Sequence, residues 1–233
     1  MAISIKNKWV LLTGASRGVG VRVAKALADQ GCKLILQSRN LEGTKELAAG
    51  LKAKGVEAHP VAAELSDIKQ VERLIAEAKR ISGDHIDILY NNAAIMTKYH
   101  EDKYAGTAEE YTQSFLVNAT VPALICNAFI PQMVKRGWGR VVNVTSGIAD
   151  QPELMPYSCS KAALDRYVRD LVKTLAGTGV LINLMDPGWL RTDLGGQQAP
   201  NDPDKVLPGA LVPVLLEDKD GSGKLYHAMD YAK

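Results

Sequence analysis

Tyr157 and Lys161 stand four residues apart in Tyr157-Ser158-Cys159-Ser160-Lys161, and Ser146 lies eleven residues upstream. On a helix, positions i and i+4 share a face, which puts the ammonium beside the phenol. A cation within about 4–6 Å favours phenolate and lowers a tyrosine pKa of about 10 by about 1–3 units. A phenol tuned in this way exchanges a proton near neutral pH. Carbonyl reduction asks for such an acid, because the oxygen must be protonated as its carbon receives hydride. The Ser146 hydroxyl is the candidate for holding that oxygen. Taken alone, Tyr-x-x-x-Lys also describes an ordinary surface pair on an amphipathic helix.

A second candidate lies near the N-terminus. The apolar run Trp9-Val10-Leu11-Leu12 breaks at Gly14, Gly18 and Gly20 and resumes in Val21-Arg22-Val23-Ala24-Lys25-Ala26-Leu27 with helical periodicity. The pattern predicts strand, tight turn and helix. Gly14 supplies backbone angles closed to other residues, Gly18 lets the chain approach a diphosphate, and Gly20 lets the helix lie against the strand. The helix N-terminus then offers free amides and a partial positive charge to phosphates. Because Gly-x-x-x-Gly-x-Gly is not the commoner dinucleotide spacing, a plain strand-to-helix turn fits it as well.

In chain order, Thr13-Gly14-x-x-x-Gly18-x-Gly20, Asn91-Asn92-Ala93, Asn118, Ser146 and Tyr157-x-x-x-Lys161 resemble the motifs of the short-chain dehydrogenase/reductase family, from about Lys8 to Asp193. Pro187-Gly188-Trp189-Leu190-Arg191-Thr192-Asp193 is similar to the segment after the sixth strand in that family's carbonyl reductases. The resemblance implies that Tyr157 is the acid in reduction and the base in oxidation, and that Ser146 positions the substrate oxygen. It further implies that Lys161 lowers the tyrosine pKa and bonds the nicotinamide ribose, and that Asn118 holds a water linking Lys161 to solvent. The implied cofactor-binding set is Gly14, Ser16, Arg17, Gly18, Val19, Gly20, Ser38, Arg39, Glu64, Leu65, Asn92, Ala93, Tyr157, Lys161, Pro187, Gly188 and Thr192. Within it, Glu64 stands where the family meets the adenine, and Thr192 would bond the nicotinamide carboxamide.

Charge argues which nicotinamide cofactor this is. An NAD enzyme places a carboxylate near the end of its second strand to accept from the ribose 2′-hydroxyl. Here the strand reads Lys33-Leu34-Ile35-Leu36-Gln37-Ser38-Arg39, ending in a guanidinium, with Arg17 in the glycine turn. Two arginines suit a 2′-phosphate, so NADP(H) is expected.

The elements that must position these groups follow from periodicity. Apolar runs of strand length recur at 9–13, 34–37, 56–61, 86–90, 140–144 and 180–186, and residues 221–227 are expected to add a seventh strand. Helical stretches lie between them. Strands alternating with helices predict an α/β fold, a Rossmann-type doubly wound parallel sheet of about seven strands covered on both faces. Ser66-Asp67-Ile68-Lys69-Gln70 reads as a helix cap, and Gly31, Gly55 and Gly83 punctuate helix ends. Residues 95–106, 147–156 and 194–205 fall in loops after strand carboxyl ends, where ligands bind in such sheets. They carry Met96, Tyr99, Leu154, Met155 and Leu194, which, with Trp189, suit a partly apolar substrate. The Gly- and Pro-rich 194–205 segment reads either as a short lid or as a surface connection.

The 233 residues suffice for one cored domain spanning the chain, and the +2 net charge, with no basic block, argues against nucleic acid. The charged N-terminal octet is no signal peptide, and no run is read as a membrane span, so a cytoplasmic enzyme is expected. Three separated cysteines argue against a disulfide framework, and four scattered histidines against a zinc site. The long helical regions 107–133 and 157–175 carry apolar stripes; in the resembled family such helices pair between subunits, implying a homodimer or homotetramer. The sequence thus reads as an NADPH-dependent reductase of a ketone or aldehyde, reversible as alcohol oxidation. A non-catalytic NADP(H)-sensing regulator and a dehydratase or epimerase of the same fold stay open as alternatives.

Overall fold

The structure is a computed structural model and describes residues 3–232. Among them, seven parallel strands form one sheet in the order β3-β2-β1-β4-β5-β6-β7. These are β1 (Trp9–Leu12), β2 (Lys33–Ser38), β3 (Ala58–Ala62), β4 (Ile88–Asn91), β5 (Gly139–Val144), β6 (Val180–Asp186) and β7 (Leu225–His227). The helices are α1 (Gly18–Asp29), α2 (Glu42–Ala53), α3 (Ile68–Ser82), α4 (Ala108–Phe115), α5 (Val121–Arg136) and α6 (Met155–Leu175). The doubly wound fold expected from the alternation is present.

Strand residues alternate between two cores, as a pleated strand buried on both faces requires. Val10 and Leu12, Leu34 and Leu36, and Ile88 and Tyr90 enter one cluster. Trp9 and Leu11, Ile35, and Leu89 enter the other. Chain order reverses between β1 and β4, so the crevice for a ligand opens at their carboxyl ends.

Local chemistry sets the helix ends. Asp67 caps α3 by accepting from Lys69 N at 2.9 Å, and Gly83 closes that helix in the left-handed region. Thr107 and Glu110 form a capping box on α4. A π-helical turn, Leu116–Thr120, joins α4 to α5 and carries Asn118. The helical stretch Ala108–Arg136 is long and apolar enough to cross a membrane by length and composition, contrary to the reading that no run is. Its Val121, Ile125, Cys126, Phe129 and Met133 are instead buried in the core beneath the sheet.

Two strand expectations shift. The third strand begins at Ala58 because Val56 N bonds Leu51 O, closing α2. Pro60 is tolerated because β3 is an edge. The seventh strand shrinks to Leu225–His227, since Gly221 and Gly223 turn at positive φ. Between β6 and β7 the described chain holds three 3-10 turns, Pro203–Val206, Gly209–Val214 and Asp218–Asp220.

Candidate active site

The glycine turn is braced from three strands. Thr13, just past β1, accepts at Oγ1 from Asn92 N and Ala93 N, both at 3.0 Å. The Asn92 amide donates to the carbonyls of Thr13 at 2.9 Å and Gly14 at 3.0 Å. From β2, Gln37 Oε1 accepts from Gly14 N at 2.8 Å, and its amide donates to Ala63 O at 2.8 Å. Gly14 sits at φ +65°, and a Cβ on Gly20 would lie 2.0 Å from Gly14 O, so neither position admits a side chain. Arg17 is the N-cap residue of α1 but bonds no amide of its first turn with its side chain, and that turn carries no acid. Its N–H groups are thus left to an anion. The region fits the cofactor that the motif implies.

Beside this turn a cavity of about 260 Å³ is lined by Ser16, Arg17, Ser38, Arg39, Asn40 and Gly43. At about 30 Å³ per liquid water, it has room for a phosphoryl group. No acid lines it. Among the described residues Arg39 has no hydrogen bond or ion pair. Arg17 does have a partner: Nη1 lies 2.7 Å from Asp193 Oδ2. With those side chains 61% and 66% exposed, that pair is worth no more than about 1 kcal/mol, and a phosphate competes with it readily. Asn40 and Gly43 line this cavity without having been singled out in the sequence; the signal was their place just after Arg39. Ser38 faces inward, its hydroxyl donating to Asn40 O at 2.5 Å and meeting Thr44 Oγ1 at 3.0 Å.

The remaining cofactor candidates are dispersed around the crevice. Leu65 is buried, and Glu64 Oε1 accepts from Ser66 N at 3.0 Å, which ties the carboxylate to its own turn. Val19 packs partly buried against the core. Thr192 lies over the glycine turn, its methyl 3.4 Å from where a Gly18 Cβ would be, and its hydroxyl accepts from Gly195 N at 3.1 Å. Gly188 N donates to Asp186 Oδ1 at 2.9 Å, fixing the turn after Pro187. The 194–205 loop is folded onto its own base: Leu190 bridges Asn201, and Trp189 Nε1 donates to Gly195 O at 2.7 Å.

Ser146, Tyr157 and Lys161 converge past the carboxyl end of β5. Thr145 N pairs with Met185 O at 2.9 Å, continuing the β5–β6 ladder and setting Ser146 beyond it. The Ser146 hydroxyl accepts from Ile148 N at 3.2 Å and faces the Tyr157 phenol, whose pKa it lowers. Pro156 occupies the first turn of α6, where a missing N–H costs nothing, so Tyr157 enters the helix at the mouth of the crevice. Asn118 uses both amide hydrogens, on Ile95 O at 2.9 Å and Ser160 Oγ at 3.0 Å, and accepts from Ile95 N at 2.9 Å. It therefore clamps the chain after β4 against α6.

One expectation is corrected here. The helical spacing does place Lys161 and Tyr157 on one face, yet Nζ lies 5.8 Å from the ring centroid and donates to Val144 O at 2.8 Å. Both side chains are buried. Burial, the largest effect, raises the phenol pKa above its usual 10.0; the Ser146 hydroxyl opposes this, and the Asp186 charge adds to it. Burial likewise lowers Lys161 from 10.5 to about 8, opposed by Asp165. Desolvation outweighs the pairing that spacing suggested. Asp186 was read in the sequence only as the end of a strand.

The short chain dehydrogenase family model matches residues 8–203. Human dehydrogenase/reductase SDR family member 4 is 31% identical over 190 residues, covering 81% of this chain and 68% of that protein. The 3-oxoacyl-(acyl-carrier-protein) reductase FabG of Aquifex aeolicus (strain VF5) is 33% identical over 199 residues, covering 83% and 78%. Among solved structures, a 3-oxoacyl (acyl-carrier-protein) reductase from Agrobacterium tumefaciens C58 with NADP bound aligns at a TM-score of 0.86 and 25% identity, covering 96% of this chain and 93% of that one. This chain belongs to the short-chain dehydrogenase family of oxidoreductases.

Proposed function

We propose that this protein is an NADPH-dependent reductase of a ketone or aldehyde, running in reverse as an alcohol dehydrogenase. The observation that carries the reading is the convergence of Ser146, Tyr157 and Lys161 beside the crevice that the glycine turn faces. A reduced nicotinamide, when bound, supplies the hydride. The Ser146 hydroxyl holds the substrate oxygen, and the phenol protonates it as negative charge develops. The raised phenol pKa keeps Tyr157 protonated at neutral pH, the form reduction uses.

Gly14, Ser16, Gly18, Val19 and Gly20 would pass the diphosphate along the open first turn of α1. Arg39 and Arg17 would take the 2′-phosphate, with Ser38 tied to Asn40 and Thr44 beneath them; Glu64 and Leu65 would border the adenine; Asn92 and Ala93 would shape the floor. Pro187, Gly188 and Thr192 would border the nicotinamide, and Lys161 the ribose. Two relatives named as 3-oxoacyl reductases, one with NADP bound, support both a ketone and this cofactor. The chain is also proposed to pair with a second copy through α4, α5 and α6, where Phe115 and Val134 stand exposed.

NADPH and NADH consumption across a panel of ketones and aldehydes tests the reading. Turnover of a subset, faster with NADPH, is expected. Cofactor binding without turnover of any carbonyl would favour the regulator.

A further inference from the structure

Asp186 ends β6 one strand away from Ser146. Three separate segments meet at its carboxylate. Oδ1 accepts from Gly188 N at 2.9 Å, and Oδ2 accepts from His227 Nδ1 at 3.1 Å. A Cβ on Gly147, the residue after Ser146, would lie 2.8 Å from Oδ2, so that turn rests against the acid. The carboxylate side chain is 12% exposed while His227, its register partner on β7, is 48% exposed, so the pair runs from the site to solvent.

We propose that Asp186, held by His227, is a positioning residue that fixes the Ser146–Gly147 and Pro187–Gly188 turns relative to each other and so seats Ser146 at the proton donor. It rests on the oxidoreductase reading above. The groups facing the phenol are few. From β5 comes the Ser146 hydroxyl, from β6 the Asp186 carboxylate, and from its own helix Lys161, on which the Asp165 charge acts. Asp165 in turn faces Asp186 and Arg169 and accepts from Thr145 Oγ1 at 2.5 Å. The Asp186 charge adds to burial in raising the phenol's hold on its proton. The segment carrying His227 lies far along the chain from the other site motifs, yet it is tied to the proton donor through one carboxylate.

Asp186→Asn is the informative change. The amide oxygen can keep the Gly188 bond, and the amide nitrogen can donate to His227 in its other tautomer, so the turns are held while the charge is lost. Nitrogen NMR of His227 in the cofactor-free protein should show hydrogen on Nδ1 in the parent and on Nε2 in the variant. The pH profiles of reduction and of alcohol oxidation should both move to lower pH, with about tenfold more phenolate at a fixed pH for each unit that the phenol pKa falls. A parent His227 with hydrogen on Nε2 and none on Nδ1 would overturn the pairing, whatever the variant's folding. Profiles superimposable on the parent's would overturn the link from Asp186 to the proton donor. A parent that turns over no carbonyl would instead refute the oxidoreductase reading, while the tautomer still decides the pair.

Discussion

Removing the lysine ammonium should make the cofactor-free protein more stable at neutral pH. Lys161 is buried, and its pKa falls from 10.5 to about 8. At about 1.36 kcal/mol per unit, that drop means the folded state gives up about 3 kcal/mol to keep the charge wherever the lysine is protonated in both states. The cost is complete below pH 8. It shrinks as pH rises from about 8 towards 10.5, where the unfolded chain loses the same proton, and stability therefore increases through that window. Lys161→Met removes the charge but leaves Val144 O without its 2.8 Å donor, a loss of about 1 kcal/mol. The net gain at pH 7 is about 2 kcal/mol, or roughly 4–8 °C in Tm for a chain of this size. Above pH 10.5 the gain should be gone and the variant slightly less stable than the parent. Paired thermal and urea denaturation at pH 7 and above pH 10.5, without cofactor, measures this, while turnover should collapse. A variant equal to or less stable than the parent at pH 7, or a gain independent of pH, would refute the burial argument.

Other outcomes are equally concrete. Arg39→Ala should weaken NADPH about ten- to a hundredfold, matching an expected loss of about 1.5–3 kcal/mol for a charge-assisted pair, and leave NADH nearly unchanged. Fluorescence titration at fixed salt decides it, and equal losses for the two cofactors would make Arg39 structural. Gly20→Ala should abolish cofactor binding, since its Cβ would lie 2.0 Å from Gly14 O; unaltered affinity would show that the turn does not cradle the diphosphate. Sedimentation at micromolar concentration should give a dimer or tetramer, and a clean monomer would refute pairing through α4, α5 and α6.

What the sequence disclosed was mostly local. Strand, turn and helix around Gly14 to Gly20, the Asp67 cap and the Gly83 stop each rest on a few adjacent residues, and each appears in the structure. Alternation along β1, β2 and β4 likewise follows from the pleat. What escaped depends on contacts distant in the chain. Gln37 braces Gly14 from the neighbouring strand, Asp193 reaches Arg17, and Asp186 meets His227 across the β6–β7 ladder. None of these pairs has a sequence spacing that marks it. The Tyr157–Lys161 pair shows the same limit from the other side. Helical spacing put the two groups on one face, but only the three-dimensional packing shows that burial dominates both ionisations.

Tyr157→Phe keeps the ring in its buried seat and removes only the proton donor. Its NADPH dissociation constant and its carbonyl turnover, measured on one preparation, test the proposed chemistry most directly. NADPH affinity should stay within about tenfold of the parent's, since one hydrogen bond is worth at most about 1.5 kcal/mol and the phosphate contacts remain, while turnover falls by about 10²–10⁴. Turnover close to the parent's at unchanged affinity would contradict the assignment of Tyr157 as the acid.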